Sequence, residues 1–145
     1  MTAPVFVDSN VLIYAVDEGD LKKHVAARLW YSELWKNRCG RVSFQVLQEF
    51  YVNATRKMPT AIEAIRAEIK SLLAWQPTAI NGEILDGGWR IRDRYHISFW
   101  DALIVSAAKA ASCRHLLTED LQAGQEFEGV LVVNPFRSSP DQFVE

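Results

Sequence analysis

The chain has 145 residues, of which 49% are apolar and 23% charged, which places it among soluble globular proteins long enough to bury the core of one domain. A net charge of −2 excludes a global field that draws in nucleic acid, so any such contact must come from local basic patches. No apolar run approaches the ~20 residues of a membrane span, no secretory leader is visible, and Cys39 and Cys113 stand far apart in no metal-binding spacing, as suits a reducing cytoplasm.

The run Val5-Phe6-Val7 reads as a short buried strand. Asp8 falls where that strand ends, and Ser9 or Asn10 caps a helix from about Val11. In an open parallel sheet the C-terminal strand edge is where ligands bind, so an acid there is a site candidate; the alternative is an Asx-turn at a strand end. Asp20 caps a helix from about Leu21 to Asn37, with Val25, Leu29, Tyr31 or Ser32, and Trp35 as its apolar stripe. Lys22, Lys23, His24 and Arg28 read as its solvated face. Gly40 stops that helix, and Arg41-Val42-Ser43 is a short second strand.

A helix follows from about Phe44 to Lys57, with Phe44, Leu47, Tyr51 and Ala54 on one face. Glu49 lies at the edge of that stripe, either a boundary glutamate reaching water or an acid held near the sheet. Pro59 opens the next helix, which runs to Trp75. Thr78-Ala79-Ile80 after Pro77 is a candidate edge strand. Another helix covers about Asn81 to Arg94 and ends in a basic cluster, of which Arg90 and Arg94 share a face. That cluster is either solvated or a phosphate contact.

The segment from Ser98 to Ala111 is the most apolar helix, apolar nearly all round and therefore buried. Asp101 in its first turn completes a capping box with Ser98, which is a sufficient structural reason for an acid there. His115-Leu116-Leu117 is a strand followed at once by Thr118-Glu119-Asp120. Val130 to Val133 is the last strand, and the tail from Arg137 is expected to be weakly ordered.

Strands alternating with helices give an α/β fold, a mostly parallel sheet with helices on both faces. Asp8 and the Thr118-to-Asp120 group then share one sheet edge, while Glu49 and Asp101 arrive from helices on the same side. Four acids in one cleft repel each other unless a cation joins them. Carboxylates with a hydroxyl and an amide, and no His or Cys, form a hard oxygen set suited to Mg²⁺ or Mn²⁺. His24, His96 and His115 read as structural. Such a site without a nucleotide-cradling loop points to metal-assisted phosphodiester hydrolysis.

The stretch from Val5 to Leu12, Glu49 within Gln45-to-Phe50, Trp100-Asp101-Ala102-Leu103-Ile104, and Thr118-Glu119-Asp120 together resemble the motifs of PIN-domain ribonucleases, in order along the whole chain. The resemblance implies a three-layer α/β/α sandwich spanning residues 1–145 as a single domain. It implies a Mg²⁺- or Mn²⁺-dependent endoribonuclease of the VapC toxin type, with a cognate antitoxin and a homodimer as partners. Carried over, Asp8, Glu49, Asp101 and Asp120 form the acidic site, and Ser9, Asn10 and Thr118 support it. Glu119 is an added acid, which leaves open whether it or Asp120 faces the metal. Arg90 and Arg94 become candidates to hold RNA phosphates, and Trp30 or Trp35 candidates for an exposed interface patch. Two alternatives stand beside this reading: a PIN-like module that binds RNA or protein without cleaving, and a phosphoryl-transfer enzyme of the haloacid-dehalogenase or receiver type. Against the latter, Asp8-Ser9-Asn10 lacks the second acid of a D-x-D nucleophile motif, and no acid pair precedes a central phospho-accepting Asp.

Overall fold

The computed structural model describes residues 3–143. Strands β1 (Val5–Val7), β2 (Gly40–Arg41), β3 (His115–Leu117), β4 (Glu126–Phe127) and β5 (Val130–Val133) form one sheet in the order β2-β1-β3-β5-β4. All pairings are parallel except that of β4 with β5. β1 is buried at every position, as a central strand covered on both faces must be. Helices α1 (Ser9–Val16), α2 (Leu21–Lys36), α3 (Phe44–Lys57), α4 (Ile62–Leu72), α5 (Gly82–Tyr95) and α6 (Phe99–Ala110) complete a three-layer α/β/α sandwich. Five of them begin at a capping side chain: Asp8, Asp20, Ser43, Asn81 and Ser98 each accept a backbone N–H of the first turn. No helix of the described residues is long and apolar enough to cross a membrane.

Small residues set the close approaches. A Cβ on Gly87 would stand 2.4 Å from Ser106 Oγ, and one on Gly88 would stand 2.9 Å from Leu103. These two glycines let α5 lie directly on α6, and Ser106 Oγ then donates to the Ile84 carbonyl at 2.9 Å. Gly40 does the same at the sheet edge, where a Cβ would stand 2.6 Å from the Trp75 ring.

Several elements differ from the sequence expectations. α1 starts at Ser9, because Asp8 itself takes the cap that Ser9 or Asn10 was expected to supply. β2 covers Gly40–Arg41, so only Arg41 of the expected strand lies within it, and Thr78 contributes a single parallel bridge to Ser43 instead of an edge strand. On α2 the buried residues are Ala27, Trp30, Tyr31 and Leu34, while Val25 and Leu29 are 60% and 52% exposed. Both faces of α2 are apolar, so periodicity does not choose between them. The choice is made by the tail: the Trp30 indole N–H donates to the carbonyls of Pro135 and Ser138 at 3.1 and 3.0 Å. Trp30 is therefore core rather than exposed patch, and Trp35 is half-buried against Tyr31 and Trp75. The tail expected to be loose is docked as far as Phe143, with Phe136 on Tyr14, Phe143 on Trp30 and His115, and Pro140 buried. Cys39 and Cys113 are free and buried.

Candidate active site

The sheet ladder places two site residues side by side. Asp8 N–H donates to the Leu117 carbonyl at 3.0 Å and Thr118 N–H to the Val133 carbonyl at 3.1 Å, so both residues step off adjacent strands at the C-terminal edge. Asp8 is 6% exposed. One of its oxygens accepts the Ser9 backbone N–H at 2.7 Å, and the other accepts the Thr118 hydroxyl at 2.9 Å. Ser9 supports the acid through its backbone alone. Thr118 Oγ1 in turn accepts the Asp120 N–H at 3.1 Å.

Asn10 is the hub. Its amide nitrogen faces Thr118 Oγ1 at 2.9 Å, Asp120 Oδ2 at 3.1 Å and Asp8 Oδ2 at 3.3 Å. Its carbonyl oxygen accepts the Glu119 N–H at 3.3 Å. Asp120 thus turns toward the cluster. Glu119 turns away from it, to the Lys23 ammonium at 2.7 Å.

Glu49 and Asp101 come from α3 and α6, whose starts are tied by Gln45 Nε2 donating to the Trp100 carbonyl at 3.3 Å. Burial, then the charges of Asp8, Asp101 and Asp120, pushes the Glu49 carboxyl up to about 7. Burial pushes Asp8 up to about 6, against the opposing hydrogen bonds from Ser9 and Thr118; Asp120 and Asp101 add to the rise. Asp101 is also raised, by burial first and then by Asp120, against a hydrogen bond from Ser98. The four acids are therefore one electrostatic unit. Among the described residues no three His, Cys, Asp or Glu side chains stand close enough to form a ready ligand set. The donors nevertheless fit a hard divalent ion in kind: all are oxygens, and Asp8, Glu49 and Asp101 are raised by burial first and by neighbouring carboxylates after it, both of which a bound cation would offset.

Arg90 and Arg94 lie elsewhere. Arg90 grips Glu128 with Nη2 at 2.8 Å and Nε at 3.0 Å, Lys109 joins at 2.8 Å, and Arg94 stands at 3.8 Å. Lys109 is eight residues beyond Asp101 on α6, roughly 12 Å along the helix axis. Glu128 occupies the tight β4–β5 turn with Gly129, both at positive φ (50° and 93°). That turn precedes β5, at the sheet edge opposite to Asp8. The two arginines act together as expected, but on a carboxylate and away from the acids.

Sequence reasoning missed Lys23 and Gln45. Lys23 was assigned to a solvated face, yet its ammonium lies 4.9 Å from the centre of the Tyr14 ring and pairs with Glu119, 96 positions away. Gln45 could have been found, since it precedes Glu49 by one helical turn on the same face.

The PIN-domain family model matches residues 5–125. The chain belongs to the PIN-domain family. Among solved structures, this PIN domain superposes on a toxin–antitoxin complex from Klebsiella pneumoniae with a TM-score of 0.65 at 21% identity, covering 92% of this chain and 98% of that one. Mycobacterium tuberculosis VapC20, a toxin that cleaves the sarcin–ricin loop, gives 0.61 at 18%, covering 77% and 86%. VapBC2 from Rickettsia felis, bound to a promoter DNA fragment, gives 0.59 at 16%, covering 88% and 96%. The shared fold is that of VapC-type PIN domains. No curated protein matches the chain at a significant level.

Proposed function

We propose that this PIN domain is a divalent-metal-dependent endoribonuclease, the toxin of a toxin–antitoxin pair. The observation that supports this most is the Asn10 hub, which holds Asp8, Asp120 and Thr118 together where Glu49 and Asp101 also exert their charge. Asp8, Glu49, Asp101 and Asp120 would hold Mg²⁺ or Mn²⁺. When bound, the ion supplies Lewis acidity to the phosphodiester and to water. The chain's own residues prepare for it: Ser9 and Thr118 fix the Asp8 carboxylate, and Asn10 fixes Asp120 against it. Family membership removes the haloacid-dehalogenase and receiver alternatives.

An antitoxin partner follows from the complexes formed by the Klebsiella and Rickettsia relatives. Apolar surface is available to such a partner in the groove of about 740 Å³ between α3 and α4, lined by Phe44, Leu47, Tyr51, Val52, Ile69 and Leu73. Light scattering at micromolar concentration tests the homodimer. The buried free thiols suit a cytoplasmic protein.

Purified protein is expected to cut RNA internally with Mn²⁺ or Mg²⁺ and to stop with EDTA. Full activity in EDTA would sink the metal reading. RNA binding without cleavage at saturating Mn²⁺ would make the chain a binding module.

A further inference from the structure

We propose that Arg56 and Lys57 hold a phosphate of the RNA strand next to the one being cut, in the pocket beside Asn10; this rests on the nuclease reading. The pocket, of about 260 Å³, is walled by Asn10, Tyr14, Asn53, Arg56, Lys57 and Glu119. It opens on the hub of the acidic cluster, because Asn10 belongs to both. It is small for a drug-sized ligand, and matches a phosphate with its sugar rather than a duplex.

The face of α3 leads there. Glu49, Asn53, Arg56 and Lys57 are spaced four, then three or four, residues apart, so they line one side of the helix. The run passes from an acid of the cluster, through an amide, to two cations roughly 11–12 Å along the axis. An RNA strand laid against four carboxylates is repelled by them, so productive docking needs cations flanking the acids on the same surface.

Five other cations are already engaged. Arg90, Arg94 and Lys109 gather on Glu128. Arg66 pairs with Glu63 and donates to Tyr51. Lys23 is held by Glu119. Among the described residues Arg56 makes no ion pair, and Lys57 has one long contact, 3.9 Å to Asp17. The Tyr14 ring is covered by Lys23 at 4.9 Å and flanked by Lys57 at 5.9 Å, with Phe136 against it at 80°. It is not open to stack a base, so the pocket reads phosphate and not sequence. The competing account is that Arg56 and Lys57 only complement the negative end of the α3 dipole. That account predicts an effect on stability and none on RNA.

The test measures binding of a short single-stranded RNA against salt in an Asp8→Asn background, which removes cleavage. Arg56→Ala with Lys57→Ala should lower the slope of log affinity against log salt by about 0.7, the share of one phosphate on a single strand. Single Arg56→Gln and Lys57→Gln variants should each lower it by part of that amount, and they carry the test where the double variant fails to fold. Arg56→Lys should restore the slope. In the cleaving protein the same changes should raise KM and leave kcat unchanged, and Arg90→Ala with Arg94→Ala should alter neither slope nor KM. An unchanged slope in a protein that still binds and cuts RNA overturns this inference and leaves the nuclease reading intact. A wild-type chain that neither binds nor cuts RNA overturns both.

Discussion

The two edges of the sheet treat carboxylates in opposite ways. At the C-terminal edge Asp8 and Asp120 share one amide and one threonine hydroxyl with the charges of Glu49 and Asp101 close by, and burial with mutual repulsion raises Asp8 and Glu49 to about 6 and 7. At the other edge one acid, Glu128, is met by Arg90, Arg94 and Lys109, and its carboxyl is drawn down to about 2 by the hydrogen bond from Arg90 above all. Glu128 stabilises the fold, sitting at a left-handed backbone position that costs about 1 kcal/mol without compensation. The acidic edge destabilises the fold when Asp8 and Glu49 are charged, an imbalance that a bound cation would relieve.

The largest expected effect breaks the acidic edge. Asp8→Asn should lower cleavage by roughly 10²–10³-fold, the range for removing one preorganised charge-stabilising group at a reacting centre, while the metal-free protein melts no lower than wild type. A variant with wild-type turnover would place the chemistry elsewhere.

Acid–base behaviour sharpens the contrast. Native Asp8 keeps its proton up to about pH 6, whereas the unfolded chain gives it up near 3.8. Metal-free stability should therefore fall as pH rises from about 4 to 7, by on the order of 3 kcal/mol for Asp8. Manganese at a hundred times its dissociation constant should restore about 2.7 kcal/mol at pH 7. Denaturant titrations at both pH values, with EDTA and with Mn²⁺, check this; a flat profile in EDTA contradicts it.

Glu128 has the reverse sign. Its stabilisation is present above the ordinary glutamate value of 4.5 and lost as pH falls toward about 2. Its three cations are 47–65% exposed, so solvent screening discounts the effect to about 1–2 kcal/mol. Glu128→Gln should cost that much at pH 7 by urea unfolding and nothing near pH 2, with cleavage untouched.

The smallest effect concerns Asp101. Ser98 Oγ already caps α6 by accepting the Asp101 N–H at 3.1 Å. Asp101→Asn should leave metal-free stability unchanged or slightly higher, since it removes one like charge from the cluster, and should blunt stabilisation by Mn²⁺. A metal-independent loss of about 0.3–1 kcal/mol with cleavage intact would make Asp101 a helix-end charge and no more. Paired thermal melts decide between them.

The parts legible in the sequence were those whose signal is local. β1 and Asp8, the Ser98 cap, and the Thr118-to-Asp120 step each sit within a few residues of the pattern that reveals them. Glu49 was visible as a boundary acid, and only the sheet edge gives it neighbours. What could not be read depends on distant partners. The buried face of α2 is chosen by carbonyls 105 and 108 positions past Trp30. The fate of Arg90 is set by a glutamate 38 residues on, and that of Lys23 by one 96 residues on. Periodicity is blind to such pairings, so a basic cluster next to Asp101 in sequence could end near the opposite side of the molecule.

β3 slots between β1 and β5, and so the hydrogen bond from Thr118 to Asp8 spans 110 positions. During synthesis Asp8 leaves the ribosome roughly 5–20 s before Thr118 does, at about 5–20 residues per second. Pairing so distant in sequence is also slow to form. The acidic cluster cannot close before β3 is made, so on the nuclease reading an unfinished chain should not cut RNA. A ribosome-stalled chain ending before His115 should show no cleavage with Mn²⁺, and release through Val133 should switch it on; cleavage by the stalled form would mean that β1 and the helices suffice.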